Sequence, residues 1–166
     1  MTRLWPAALL LGCALCGSAS AQESTSATYA NWVVRCDSRG QPPKTECAME
    51  QLTRLQNQAN PLSRIAIERP VKGQPPQLVV QVPVNVSLQA PVKITHEKDV
   101  ILDAPFQRCG PGGCMTQIAL QDASLKTLRS LTGRGTITFK DANDRDVAIP
   151  VAFDGFAAAY DALLKK

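Results

Sequence analysis

The sequence predicts an all-β protein, a two-sheet antiparallel β-sandwich with two short helices. Short runs rich in valine, isoleucine and threonine recur along the 166 residues, and segments rich in proline, glycine, asparagine and aspartate separate them. No period of 20–50 residues repeats, which argues against a solenoid or a propeller. With 45% hydrophobic and 19% charged residues, the chain has enough apolar material for one ordinary domain with a core.

The first 21 residues have the organisation of a secretory signal peptide. Arg3 provides a basic start, an apolar run extends from Leu4 to Cys16, and small residues precede an expected cleavage after Ala21. The run is shorter than the about 20 residues that a membrane span needs, so no integral span is expected after cleavage. We therefore predict a signal peptide over residues 1–21 and a periplasmic, outer-envelope or secreted location. Lipid attachment at Cys13 is the alternative to cleavage after Ala21.

Residues 22–28 are small and polar, and they predict a flexible leader before a single β-sandwich domain over residues 29–166. The first strand is expected at 31–36, where Trp32, Val34 and Cys36 alternate onto one face. The remaining strands are predicted at 47–52, 64–68, 77–88, 92–95, 99–102, 115–120, 135–140 and 147–153. Pro83 interrupts the valine-rich run and predicts an edge or a bend there.

Two segments have helical periodicity. Three leucines recur at three-residue spacing in a helix expected near 122–132, with Asp122 as its N-cap and Gly133 at its end. A C-terminal helix is expected near 155–164, with Phe156 and Tyr160 on one face. We interpret both apolar stripes as core packing, not as cofactor or membrane sites.

Four cysteines follow the predicted signal peptide, and an even number in an exported chain indicates disulfides. Proximity in sequence favours the pairs Cys36–Cys47 and Cys109–Cys114, while two other pairings stay open. In the chain-entropy model, loops of these sizes stabilise a fold by roughly 2–3 kcal/mol each. A zinc site with four cysteine ligands is the alternative that an oxidising compartment disfavours.

The motifs of common enzyme and cofactor sites are missing from the sequence. The single histidine, His96, is expected in a solvated turn, and no nucleophile-elbow sequence accompanies it. Residues 141–146 lack the spacing and the closing glutamate of an EF-hand and predict a hairpin turn. The net charge of +4, which falls to +3 without Arg3, is scattered and does not indicate nucleic-acid binding. We therefore predict a non-enzymatic protein with no metal, no cofactor and no nucleic-acid partner.

The segment around the last two cysteines is the candidate interaction loop. Four residues separate Cys109 from Cys114, whereas redox enzymes carry Cys-x-x-Cys at a helix N-terminus, so we interpret the segment as a turn closed by a disulfide. Such a loop loses little entropy on binding a protein or envelope partner. The loop comprises Gln107, Arg108, Gly110, Pro111, Gly112 and Gly113. Two alternatives stay open: a periplasmic thiol–disulfide or folding-assistance factor using Cys109 and Cys114, and an accessory subunit of a periplasmic complex.

The order of several short motifs is similar to that of a known family. Along the chain these are Trp32-x-x-x-Cys36, Cys47-x-Met49-x-Gln51, a proline-valine strand at 82–88, Phe106-x-x-Cys109, Gly113-Cys114 and Gly155-Phe156. Together they resemble the invasion-associated locus B family of exported bacterial proteins over roughly residues 29–164. The resemblance implies an envelope β-sandwich of a Gram-negative bacterium and, in some members, a part in host-cell invasion, and it supplies no catalytic residues. The family more often has glycine where this chain has Asn85.

Overall fold

The computed structural model describes residues 24–58, 60–70 and 72–166, so the predicted signal peptide over 1–21 lies outside the described residues. Within them the chain forms eleven strands and two helices. The strands are β1 (Ser24–Tyr29), β2 (Trp32–Arg39), β3 (Lys44–Thr53), β4 (Ser63–Glu68), β5 (Gln77–Val82), β6 (Val92–His96), β7 (Asp99–Ala104), β8 (Arg108–Gly110), β9 (Gly113–Ala119), β10 (Arg134–Lys140) and β11 (Asp146–Ala152). The helices are α1 (Asp122–Ser130) and α2 (Phe156–Leu164).

The strands form two antiparallel sheets that enclose one apolar core, which confirms the predicted β-sandwich. One sheet has seven strands in the order β1-β2-β3-β4-β5-β9-β8, and the other has four in the order β11-β10-β6-β7. Strands alternate buried and exposed positions because successive side chains point to opposite faces. In β2 this alternation buries Trp32 and Val34 and leaves Arg35 exposed. Full burial of such apolar side chains stabilises the fold by about 1.5–3 kcal/mol each.

Both helices lie where their apolar spacing predicts them, but the caps of α1 differ from the prediction. Gln121, not Asp122, is the N-cap, and it makes no side-chain capping bond. Asp122 is the first helical residue, where a carboxylate still interacts favourably with the helix dipole. The helix ends at Ser130, before Gly133, which instead adopts a φ of 74° and donates its N–H to Asp154. Gly133 therefore belongs to the loop that contacts Asp154 and does not cap the helix.

Three strand assignments also need correction. Residues 24–28 of the predicted flexible leader belong to β1, which is held by backbone pairing to β2 although most of its side chains are exposed. β5 stops at Val82, because Pro83 has no N–H to continue the ladder. The short strand β8 was not predicted, since its three residues are all exposed and carry no apolar alternation.

Both disulfides connect residues that face each other directly in neighbouring antiparallel strands. Cys36 of β2 bonds to Cys47 of β3, and Cys109 of β8 bonds to Cys114 of β9. This is the pairing that sequence proximity favours. The first bridge lies buried on the core side of the large sheet, whereas Cys109 is exposed at its far edge.

Candidate functional site

An open groove crosses the outer face of the seven-stranded sheet, the face turned away from the four-stranded sheet. It has a volume of about 780 Å³ and is lined by β2, β3, β4 and the segment that follows β4. In the sheet register Ala48 lies between Arg35 and Glu68. Because alanine has no atoms beyond Cβ, this position leaves space between longer side chains on either side.

Six cationic side chains and four carboxylates line the groove. The best-protected ion pair joins Arg64 Nε to Glu50 Oε2 at 2.7 Å, with side chains 29% and 15% exposed. Lys44 and Glu46 form an exposed pair at 2.8 Å, and their hydrogen bond raises the pKa of Lys44 and lowers the pKa of Glu46. Each of these ion pairs has no net charge, so the net charge of the groove depends on the remaining side chains.

Three groove cations have no carboxylate within salt-bridge distance among the described residues. They are Arg35, Arg69 and Lys72, and Arg69 only donates to the backbone carbonyl of Thr45, at 3.5 Å. Glu68 is the carboxylate of the groove that likewise has no ion-pair partner within the described ranges. The groove therefore has an excess of two positive charges. This surface was not predicted from the sequence, although the charged alternate positions of β2 are its signal.

The predicted interaction loop forms the hairpin of β8 and β9 and does not join the groove. Pro111 and Gly112 make its exposed turn, and the carbonyl of Gly112 accepts a hydrogen bond of 2.6 Å from Gln81. A Cβ at Gly113 would lie 2.3 Å from the carbonyl oxygen of Val82, so this position requires glycine. Strand β5 lies between this hairpin and β4, and neighbouring strands are about 4.8 Å apart.

The remaining loop residues divide into fixed and exposed positions. Gln107 donates its side-chain amide to the carbonyl of Gln117 at 2.9 Å, and its backbone N–H bonds to Met115. The Arg108 side chain lies against the sulfur of Met115, while Gly110 is exposed at the end of β8. The hairpin is therefore an ordered, exposed corner of the sheet.

His96 does not lie in the solvated turn that the sequence predicts. It is the last residue of β6, half-buried, and its Nε2 is 2.8 Å from the carbonyl oxygen of Thr132. Its ring contacts Phe153 edge-on, with centroids 5.4 Å apart. The packing of the strand end against the core explains the difference, since the flanking polar residues alone suggest an exposed turn.

The 141–146 segment forms the predicted hairpin turn, between β10 and β11. Asp141 accepts backbone hydrogen bonds from Asn143 and Arg145 at 2.8 and 3.0 Å, and the Arg145 side chain bonds its second oxygen at 2.8 Å. These contacts, led by the Arg145 side chain, lower the pKa of Asp141. The carboxylate thus closes a turn. Across the described ranges, no group of three or more His, Cys, Asp or Glu side chains is arranged to hold a metal ion.

Residues 32–164 match a family model described as Invasion associated locus B (IalB) protein. The chain belongs to this family. A crystal structure of invasion associated protein b from Bartonella henselae shares the fold of this IalB-family chain with a TM-score of 0.68 at 18% identity, covering 85% of this chain and 96% of the other. No curated protein matches the sequence. None of the helices in the described part of the chain is long and apolar enough to cross a membrane.

Residues that carry the IalB resemblance meet at one junction between the two sheets. The Gln51 side chain of β3 reaches the backbone of Ala152 in β11, donating to its carbonyl at 2.9 Å and accepting from its N–H at 2.8 Å. The indole N–H of Trp32 donates to the same carbonyl at 3.0 Å. Two side chains of the large sheet thus occupy the open edge of the small one.

The Gly155-Phe156 motif of the IalB resemblance completes the junction. Gly155 has a φ of 88°, and a Cβ there would lie 2.1 Å from the carbonyl oxygen of Tyr29. Phe156 begins α2 and packs edge-on against Trp32, with ring centroids 5.1 Å apart. These motif residues hold the sandwich together and lie on its core side, away from the groove.

The departure from the IalB pattern at Asn85 has a conformational explanation. Asn85 follows β5 with a φ of 72°, in the left-handed region. Glycine adopts this region freely, and asparagine tolerates it better than most other residues. The same backbone turn is therefore accessible to this chain with asparagine in that position.

Proposed function

We propose that this IalB-family chain is an exported, non-enzymatic binding protein of the bacterial envelope that engages a protein or envelope partner through the outer-face groove. The observation that carries this proposal is the open groove with its excess of two positive charges. Family membership and the two disulfides support export to an oxidising compartment, the periplasm or the outer envelope of a Gram-negative bacterium. The proposal includes a part for the protein in host-cell invasion or in envelope function.

The chemistry of the groove favours an extended partner segment that carries negative charge. Arg35 and Arg69 have no carboxylate within salt-bridge distance among the described residues, and guanidinium forms paired hydrogen bonds with carboxylate or phosphate groups. Arg64 and Glu50 already form an ion pair with each other, so they line the groove without offering a free charge to a partner. Binding that depends on exposed charges weakens with added salt, because the Debye length shortens.

The experiment is crosslinking and pull-down of the protein from intact cells, with a groove variant and a charge-matched control. The groove variant is Arg35→Gln/Arg69→Gln, and the control is Arg54→Gln/Arg134→Gln, which removes two exposed arginines outside the groove lining. We expect the groove variant to lose about 10-fold or more of partner capture, since each charged hydrogen bond contributes about 1.5–3 kcal/mol. Equal capture by the two variants would exclude the groove.

The disulfide-closed hairpin is the second candidate surface, because residues 110–112 are exposed and ordered at the sheet edge. Its test is alanine replacement of Arg108 and Pro111 in the same pull-down. Loss of capture in this variant, with full capture by the groove variant, would assign binding to the hairpin. Intact capture by both variants would exclude both surfaces.

The thiol–disulfide and accessory-subunit alternatives have less support. Cys109 and Cys114 face each other in strands β8 and β9, whereas the helix N-terminus that lowers a thiol pKa in redox enzymes is not part of that hairpin. A Cys109→Ser/Cys114→Ser protein that folds and restores the cellular phenotype would remove the redox alternative. Recovery of the protein in a complex of fixed stoichiometry would favour the accessory-subunit alternative.

A further inference from the structure

Strand β1 leaves one long edge of the seven-stranded sheet open. It pairs with β2 in an uninterrupted register, and the sheet ends there. A two-residue turn makes Tyr29 and Trp32 a hydrogen-bonded pair, so hydrogen-bonded and non-hydrogen-bonded pairs alternate from that point. The N–H and C=O groups of Ser24, Ser26 and Thr28 therefore point away from β2, toward the open side.

The other three sheet edges carry features that block strand addition. β11 contains Pro150, and the backbone of Ala152 is occupied by the side chains of Gln51 and Trp32. β8 is three residues long and is followed by Pro111. Such devices are how natural sheets prevent edge-to-edge pairing.

The edge at β7 is protected by charge. Asp99 and Asp103 are exposed in this strand, and the register of β7 with β6 shifts at a bulge between Ile94 and Thr95. In contrast, β1 reads Ser-Thr-Ser-Ala-Thr-Tyr, with no charge, no proline, no glycine and no bulge. Among the edges of the described residues, β1 is the one that combines length with the lack of any blocking feature.

We propose that β1 is a dimerisation edge, which pairs antiparallel with β1 of a second copy around a twofold axis. An uncharged strand suits a second copy as its partner, because self-pairing places no like charges opposite one another. Residues with outward backbone groups must face each other, and a register centred on Ser26 places Ser24 opposite Thr28 of the second copy. The outer faces of the two large sheets then become continuous, which brings two grooves onto one surface.

The contact is small, since about five residues of each strand overlap, so the dimer forms at high concentration. We expect sedimentation equilibrium from micromolar to millimolar protein to show a weight-average mass that rises from that of one chain toward twice that value. This proposal does not depend on the groove, so a negative result here leaves the binding proposal intact. A mass that stays at one chain over the whole range would overturn it.

Ser26→Pro is the decisive variant. Proline removes the outward N–H of residue 26 and leaves the hydrogen bonds between β1 and β2 in place, because those use the neighbouring residues. We expect dimerisation to weaken about 10-fold or more, because one backbone hydrogen bond is lost on each side of the axis. The control Ser26→Ala keeps the backbone N–H and should associate like the wild type.

A second variant tests the edge if Ser26→Pro does not fold. Ser26→Lys places two positive charges close together at the axis, so dimerisation should weaken at low salt and recover at high salt as the charges are screened. Unchanged association of both Ser26→Lys at low salt and a folded Ser26→Pro would show that the copies meet elsewhere, and would overturn the proposal.

Discussion

Replacement of Gln51 by methionine should destabilise the sandwich selectively. Methionine keeps the length and packing volume of the side chain but loses both hydrogen bonds to Ala152, the donor bond of 2.9 Å and the acceptor bond of 2.8 Å. The Ala152 carbonyl keeps the bond from Trp32, whereas its N–H loses its partner. The two bonds to Ala152 at about 1 kcal/mol each, plus the desolvation of an unpaired part-buried N–H, predict a loss of about 2–3 kcal/mol, to which the exposed bond of 3.3 Å from Gln51 to the Asn31 carbonyl adds little.

Urea unfolding measures this loss. With a slope of about 1–3 kcal/mol/M for a protein of this size, the midpoint should fall by about 0.7–3 M while the slope stays unchanged. The matched control is Gln77→Met, which should cost about 0.5 kcal/mol or less, because among the described residues the Gln77 side chain bonds only to Pro75, two residues away. A Gln51→Met protein as stable as this control would refute the assignment of the junction as a link between the sheets.

Three further changes have defined outcomes. Gly155→Ala should cost about 3 kcal/mol or more, measured as a lower urea midpoint, since its Cβ would lie 2.1 Å from the Tyr29 oxygen at a φ of 88°; a loss below about 1 kcal/mol would contradict this. Asp141→Asn should lower stability more at pH 7 than at pH 3. The Arg145 contact lowers the pKa of Asp141. The stability that the ionised Asp141 carboxylate contributes is therefore present above the ordinary carboxyl pKa of about 4 and disappears as the pH falls through the lower folded-state pKa. An equal difference from the wild type at both pH values would disprove this. Thr116→Val should raise the thermal midpoint by a few degrees, because the buried Thr116 hydroxyl has no hydrogen-bond partner among the described residues, and a destabilised variant would show that this hydroxyl is in fact satisfied.

Elements with strong local periodicity were predictable from the sequence. The alternation of Trp32, Val34 and Cys36 predicted β2, and the leucine spacing predicted α1, because burial of one face leaves a periodic signal in the sequence. The pairing of Cys36 with Cys47 also followed, since a hairpin brings neighbours in sequence together. Strands with few buried side chains leave no such signal, and β1 and β8 were missed for that reason.

The candidate site was the least predictable part. The 107–113 loop was singled out because its glycines, proline and cysteines are conspicuous in the sequence, whereas the groove depends on side chains from three strands and the segment after β4. Arg35 and Glu68 are 33 residues apart in sequence and become neighbours only through the register of β2, β3 and β4 across Ala48. The register between strands therefore determines whether a charged side chain has an ion-pair partner.

The sequence by itself indicated the class of fold and the family and favoured the observed disulfide pairing over the two others, because these depend on local periodicity, motif order and local proximity. Only the tertiary structure decided what the motif residues do. Gln51 and Trp32 are far from Ala152 along the chain, and they bond to it because the two sheets pack face to face. The structure also decided which charges line a groove and which edge stays open, since pairing between strands is a long-range property that no single segment encodes.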